Sequence, residues 1–399
     1  MPEIAGRFRH IVLGAGGIGS ATAYWLSDKG AQSVLCLEQY DLGHELGASM
    51  DFSRIIRHAY HSSFYTNLTQ ASYDTWSLIE ERTGLPLVTK TGGVDVGRPK
   101  HVEPYAPALT EAGHEFEMMD SAELMRRWPQ WHVKDDDIAV YQKDSGILDI
   151  RKASYGHLAL GRANGVTYVD RTPVTAITEY PDRVEVTTDA GIFVGETLSV
   201  CSGSWSPMLL ESMGLRNPIV VSHEQVCYWA TQNLLEFAPD RFGIWIYHDE
   251  VENYYGFPVF GLPATKAGRD RPHDLIDPAN RSWDVREDNL KQVEDFMALR
   301  LPDALGPRMF SRACCYDLTP DRHFLVDHVA GSSRIAMFCG AGHAAKFASL
   351  MGRIMADLAL DGGTEYPIEP FAWNRPAIVD PDFVPTLAIA EGSLTPHGM

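Results

Sequence analysis

The chain reads as an α/β protein: a nucleotide-binding half built on a parallel sheet, interrupted by a second half of sheet-rich, α+β texture. Three observations predict this. A short apolar strand, His10 to Leu13, runs into a glycine-rich turn and then an amphipathic helix, Ser20 to Gly30. Helix-and-strand texture returns in the middle of the chain, from Arg151 to Val169, and near its end, from Ala336 to Leu358. Between these pieces the pattern changes to short strands, such as Gly93-Val94-Asp95-Val96. Discontinuous domains are therefore expected. Residues 1–84, 148–217 and 312–376 form the nucleotide-binding domain, 85–147 and 218–311 the substrate domain, and 377–399 a tail.

The first element carries the most specific signal, Gly14-Ala15-Gly16-Gly17-Ile18-Gly19. In a dinucleotide-binding turn Gly14 allows the tight bend, Gly16 lets backbone approach a pyrophosphate, and Gly19 lets helix pack close on strand. The helix N-terminus offers unpaired N–H groups and the positive end of its dipole to the phosphates. A second strand, Val34 to Leu37, ends in Glu38, about twenty residues past the last glycine, where a ribose hydroxyl needs an acceptor. Strand, helix and terminal acid together favour a dinucleotide site over a purely structural βαβ unit. The motif leaves NAD and FAD both open.

At 399 residues the chain can bury a large core in two domains, and its 45% hydrophobic and 22% charged content is that of an ordinary globular protein. A net charge of −19 argues against nucleic acid or an anionic membrane as main partner. No stretch reaches the roughly 18 apolar residues of a membrane span. An anionic substrate would need local Arg and Lys against this global field. Arg7 and Arg9 before an apolar run imitate a secretion signal, but glycines break the run, which reads better as strand and helix. Six scattered cysteines lack paired metal-ligand spacing, so no metal is expected; several lie in apolar strands, which suits a reducing cytoplasm.

Along the chain, a polar loop after Glu38 precedes Arg54-Ile55-Ile56-Arg57-His58-Ala59-Tyr60. Tyr65, Leu68, Ser72, Trp76 and Ile79 predict a helix that Gly84 closes. Ser121 is expected to cap a short helix ending before Pro129. Arg151 to Gly165 reads as a helix, Val166 to Val169 as a strand leading to Val174, and Val184 to Val194 as a hairpin. Leu198 to Cys201 is an apolar strand that breaks into Ser202-Gly203-Ser204-Trp205, a second place for backbone to meet a cofactor. Leu290, Val293, Met297 and Leu301 form one helical stripe; Phe347, Leu350, Met351, Ile354 and Leu358 form another, after the turn Gly340-Ala341-Gly342-His343.

Four stretches carry a resemblance. They are Arg54 to Tyr60, then Tyr254-Tyr255-Gly256-Phe257-Pro258, then Cys314-Cys315-Tyr316 with Thr319-Pro320-Asp321, and Gly342-His343-Ala344-Ala345-Lys346-Phe347. In this order they resemble the monomeric sarcosine oxidase family of flavin-dependent amine oxidases, which includes N-methyltryptophan oxidase, over nearly the whole chain. The resemblance implies FAD, a Rossmann-type FAD-binding domain and a sheet-rich substrate domain. It implies that Cys314, in the family's Cys-x-Tyr pattern with Tyr316, holds the flavin covalently. In an extended segment Cys314 and Tyr316 share a face that Cys315 does not. Without the resemblance the two cysteines would read as inert buried thiols.

The resemblance further assigns Arg57 and Lys346 to the substrate carboxylate, as a planar fork and a point charge in a site drained of water. It puts Arg54 beside the flavin ring and gives Lys266 the activation of O2, where negative charge builds on oxygen. Lys266 alone, two residues before Gly268, reads equally well as an exposed loop lysine. Tyr255 and Tyr316 become walls that orient the amine. Gly14, Gly16, Ile18, Gly19, Glu38, Ser53, Arg54, Val174, Gly203, Trp205, Gly342, His343 and Lys346 fall along the cofactor. A helix starting at His343 would aim its N-terminus at the flavin.

The chain also departs from the family. Asp270 replaces a histidine, Met50 and Asp51 replace a histidine and a glycine, and Ala344-Ala345 replaces Gly-Phe. A carboxylate at Asp270 needs a partner: Arg269, Arg271, solvent or, in the sharper reading, a cationic or donor group of the substrate. The expectation is oxidation of a secondary or cyclic α-amino acid, with O2 as acceptor and H2O2 as product, by a cytoplasmic monomer. One rival is a flavin dehydrogenase that passes electrons to a carrier. The other is a non-catalytic flavin-binding subunit, against which the joint presence of Arg57, Lys266, Cys314 and Lys346 argues.

Overall fold

The computed structural model describes residues 3–49, 51–250, 252–270, 274–277 and 279–387; Met50 and Arg271, singled out above, lie outside the described residues. The strand His10–Leu13 is buried along its length and pairs in parallel with Val34–Leu37 on one side and Thr197–Val200 on the other. Thr167–Val169 and Ile335–Cys339 extend the parallel set, and Leu325–His328 closes one edge antiparallel. Strands covered on both faces are apolar at nearly every position. Alternate residues divide between the two layers. Val12 and Cys36 meet Trp25, Leu26 and Met351 from helices on one side. Ile11, Leu13, Leu35 and Leu37 meet Ile177, Val184, Val186 and Phe193 on the other. Each such buried side chain contributes about 1.5–3 kcal/mol.

The second layer is a four-stranded sheet. In it the hairpin read from the sequence, Val184–Thr188 with Gly191–Gly195, is flanked by Val174–Glu179 and Ile4–Arg7. On the helix side, Gly17–Asp28 packs closely against both its strand and the helix Ala348–Asp361. A Cβ on Gly19 would lie 1.8 Å from the Gly14 carbonyl oxygen, and one on Gly352 would lie 2.4 Å from the Ala21 Cβ.

The sheet-rich half forms a nine-stranded, mostly antiparallel sheet in which Gly93–Gly97 lies parallel to Ile244–His248. Its long pair is Val220–Trp229 with Arg308–Leu318. The second of these strands runs through the expected boundary at 311/312, so backbone hydrogen bonds span that division. A small sheet joins Arg54–Ile56, Gly146–Leu148 and Val88–Lys90.

Helix ends depart from the sequence reading where a neighbouring side chain caps better. Asp120, not Ser121, caps Ser121–Arg127 by accepting from the Glu123 N–H, and Asp149 starts Ile150–Ala163 in the same way. The last long helix does not begin at His343: a 3-10 turn, Ala345–Phe347, precedes Ala348–Asp361. The tail is docked as far as described, with a short helix Pro376–Val379 whose Ile378 is buried. Among the described residues no helix is long and apolar enough to cross a membrane.

Candidate active site

A long cleft opens at the carboxyl ends of the parallel strands, the place where open α/β sheets bind nucleotides. Gly14, at φ +92, turns the chain there, and a Cβ on it would strike the Cys201 carbonyl. Glu38 is buried, with Oε2 accepting from the Ala15 N–H at 2.8 Å and Oε1 from the Tyr40 N–H at 3.0 Å. Burial opposes its ionisation, but the hydrogen bond from His44 and those from the two backbone groups outweigh it, holding the carboxyl below its usual range. An ionised acceptor one strand away from backbone N–H groups at a helix start fits a dinucleotide. Gly16, Ile18, Val174, Gly203 and Trp205 line the same cleft, as expected, with Ser49 added by the structure. Ser49 holds the Gly17 N–H at 2.7 Å; nothing in its sequence context marks it.

Arg54, Tyr316, Gly342 and Ala344 close the far end of the cleft. Tyr316 and Cys314 sit on Arg308–Leu318, opposite Ser222 and Glu224 of the neighbouring strand. The alternation holds: Cys314 lies in the field of Arg54, Lys266 and Tyr255, whereas Cys315 takes an Arg281 N–H at 2.9 Å. Burial pushes the Cys314 thiol up to about 12, against the pull of Arg54, so the sulfur is a thiol at neutral pH. Burial likewise pushes the phenols of Tyr255 and Tyr316 up, and both keep their protons.

Behind this end lie four buried cations, Arg57, Lys266, Arg322 and Lys346. Three are paired with aspartates. Arg57 Nη1 donates to Asp95, which also accepts from His248 Nε2 at 3.0 Å. Lys266 Nζ lies 2.6 Å from Asp51 Oδ2 and donates to the carbonyl and hydroxyl of Ser53 at 3.0 Å each. Arg322 Nη2 grips both oxygens of Asp270, at 2.7 and 2.8 Å. Lys346 is the exception. Its Nζ donates to the Tyr60 hydroxyl at 2.9 Å and the His343 carbonyl at 3.0 Å, both neutral. Burial, with Arg57 adding to it, pulls Lys346 down to about 7. Arg57 and Lys346 lie 5.5 and 5.3 Å from the centre of the Tyr60 ring, and Arg57 Nε is buried without a partner. Asp95, His248 and Tyr60 were missed from the sequence; an acid inside the apolar strand Gly93–Gly97 was the available signal.

The structure corrects several assignments. Asp270 has Arg322 as its partner within the chain, while Arg269 pairs with Glu252. Lys266 is no exposed loop lysine, being 2% exposed on the strand Thr265–Asp270. Gly19 serves helix packing, Ser53 holds Lys266, and neither lines the cleft. His343 turns its ring to the Tyr60 hydroxyl and the Arg322 carbonyl rather than into the cleft. Asp270→Asn and Arg322→Met should each lower stability by roughly 1–3 kcal/mol, less than a fully buried pair because Asp270 keeps some water. Urea unfolding and a KM comparison of a small and a polar amine check this. A changed KM ratio at unchanged stability would return Asp270 to the substrate.

Residues 9–358 match the family described as FAD dependent oxidoreductase. A monomeric sarcosine oxidase from Streptomyces avermitilis is 34% identical over 375 residues, covering 92% of this chain and 97% of that protein. N-methyl-L-tryptophan oxidase from Escherichia coli is 28% identical, covering 92% and 98%. Among solved structures, NikD, an amino acid oxidase essential for nikkomycin biosynthesis, superposes with a TM-score of 0.82 at 23% identity, covering 92% of this chain and 97% of that one. The glycine turn, the ionised Glu38 and the cleft between them find their explanation here: the chain belongs to the FAD dependent oxidoreductase family and is an amine oxidase acting on CH–NH donors.

Proposed function

We propose that the protein oxidises an α-amino acid bearing an N-methyl or ring C–N bond, with O2 as electron acceptor. The observation that carries this reading is the pair of unfilled donors: Lys346 without a carboxylate among the described residues, and Arg57 Nε buried without a partner. A substrate carboxylate would satisfy both with charge-assisted hydrogen bonds. Asp95 fixes the far edge of the Arg57 fork and leaves its Nε edge for the ligand. When bound, FAD would supply the acceptor for one hydride equivalent, that is two electrons and a proton, from the substrate carbon, and its reoxidation by O2 with one further proton would give H2O2.

The chain's own groups orient and exclude. Tyr255 and Tyr316, as neutral phenols, wall the ring end and offer hydrogen bonds without a competing charge. No side chain is assigned to remove a proton, because a neutral amine needs none removed before its C–H bond breaks. Covalent attachment through Cys314 belongs to this proposal, supported by its shared face with Tyr316. Its thiol must shed its proton in the presence of the cofactor, since alone it stays protonated. A cytoplasmic monomer of FAD and substrate domains completes the reading, and the six free, buried cysteines suit a reducing compartment.

Purified protein should release H2O2 with one or more N-methyl or cyclic amino acids, and not with the same amines lacking the carboxylate. Arg57→Met should raise KM by on the order of 10²-fold, as loss of a charge-assisted pair implies. Turnover indifferent to the carboxylate would sink the reading. For Cys314, acid denaturation should leave flavin on the wild-type and Cys315→Ala polypeptides and free it from Cys314→Ala.

The pH dependence of ligand binding follows from Lys346. A carboxylate ligand without an amine should bind most tightly below pH 7, where the ammonium is present, and progressively more weakly above it. The loss approaches tenfold per pH unit once the free site has given up its proton and continues until the bound lysine, held protonated by the ligand, gives up its own. Titrating flavin absorbance from pH 6 to 9 reads this directly, and Lys346→Met should flatten the profile.

A further inference from the structure

Lys266 is held as one half of a closed pair. An ammonium has three donors, and three acceptors surround this one: Asp51 Oδ2 at 2.6 Å, and the Ser53 carbonyl and hydroxyl at 3.0 Å each. The Phe257 ring lies 4.5 Å from the nitrogen and the Tyr228 ring 5.7 Å. Asp51 is 1% exposed and Lys266 2%. The other Asp51 oxygen accepts from the Tyr228 hydroxyl and from the Phe52 N–H at 2.8 Å. One carboxylate oxygen thus meets the ammonium as an ion pair and the other accepts two hydrogen bonds.

This arrangement is built at a backbone cost. Asp51 sits at φ +77, a left-handed conformation that glycine adopts freely and that costs other residues about 1–2 kcal/mol. Glycine, the residue the sarcosine oxidase pattern has here, would fit without strain. What the aspartate adds is charge. A buried ammonium with no counter-ion costs several kcal/mol and gives up its proton instead, and Arg54, 3.8 Å from the same Asp51 oxygen, increases that tendency.

We propose that Asp51 is a positioning residue, the counter-ion that keeps Lys266 protonated and fixed at the ring end of the cleft. The charge that meets O2 is then that of an Asp–Lys pair and not of a lone lysine. The inference rests on the proposed reading, in which Lys266 serves O2. The groups acting on Lys266 come from each packed element. Asp51, Ser53 and Arg54 come from the preceding loop and strand, Tyr228 and Phe257 from the neighbouring strands, and Cys314 from Arg308–Leu318. Burial raises the Tyr228 phenol and the Cys314 thiol, so both are neutral, leaving Asp51 as the negative neighbour and Arg54 as the positive one. Even with Asp51 in place, burial pulls Lys266 down to about 8. Without it the ammonium is lost at lower pH.

Two variants test this. Asp51→Gly removes the charge and relieves the backbone; Asp51→Asn removes the charge and keeps one oxygen to accept from Tyr228 and the Phe52 N–H, turning an amide nitrogen toward Lys266. In holoenzyme carrying 13C-lysine, the Lys266 Cε resonance, identified by its absence in Lys266→Met, should titrate at least one pH unit lower in both variants. Dithionite-reduced enzyme mixed with O2 in stopped flow reports the second arm without any amine. Wild-type reoxidation should be half lost at about pH 8, whereas both variants should fall earlier and be about fivefold slower at pH 8. Lys266→Met should be slow and flat, and adding Asp51→Gly to it should change nothing further. An unmoved Lys266 titration overturns the counter-ion role. A lowered titration with wild-type reoxidation overturns instead the assignment of Lys266 to O2.

Discussion

Burying a cation costs several kcal/mol unless an anion or a full set of acceptors goes with it, and the ring end of the cleft is arranged by that constraint. Arg57, Lys266, Arg322 and Lys346 are all withdrawn from water there. Asp95, Asp51 and Asp270 answer the first three, each from a different element: a strand of the large sheet, the loop before Arg54, and the end of Thr265–Asp270. Lys346 alone is left with neutral acceptors. On the proposed reading, a carboxylate ligand would supply the counter-charge that Lys346 lacks among the described residues. In a chain of net charge −19 this is also how a carboxylate is attracted locally against the overall field.

Local chemistry was legible in the sequence. The turn from Gly14 to Gly19, the acid at Glu38 and the helix closed by Gly84 each depend on residues close along the chain, and each stands where it was read. The shared face of Cys314 and Tyr316 was legible for the same reason, since alternation in a strand needs no tertiary information. The family motifs singled out Arg57, Lys266 and Lys346, which the fold buries behind one end of the cleft.

Partners far apart in the chain were not legible. Asp95 looked like a polar position on a strand face, and only the packing of Arg54–Ile56 near Gly93–Gly97 makes it the mate of Arg57. Arg269, Arg271, solvent and the substrate were the candidate partners for Asp270, and Arg322, more than fifty positions on, carries no local mark of pairing with it. Asp51 was noted as a departure, but its left-handed backbone and its contact with Lys266 arise from a loop conformation that no periodicity encodes. The boundary read at 311/312 came from a change of texture along the chain, which does not see that Arg308–Leu318 is one continuous strand.

The order of strands in the parallel sheet has a bearing on how the protein is made. His10–Leu13 has Thr197–Val200, made long after it, as its neighbour, and Ile335–Cys339 lies beyond that. Gly17 and Ala348 face each other across the cleft closely enough that a Cβ on the glycine would touch the alanine. The glycine turn thus leaves the ribosome long before its opposite wall exists. Contacts of such long sequence separation are slow to form, and a chain that awaits them exposes apolar surface meanwhile. Until Ala348 is made, the nascent chain carries the glycine turn without one wall of the pocket, so the site is complete only after both segments are synthesised.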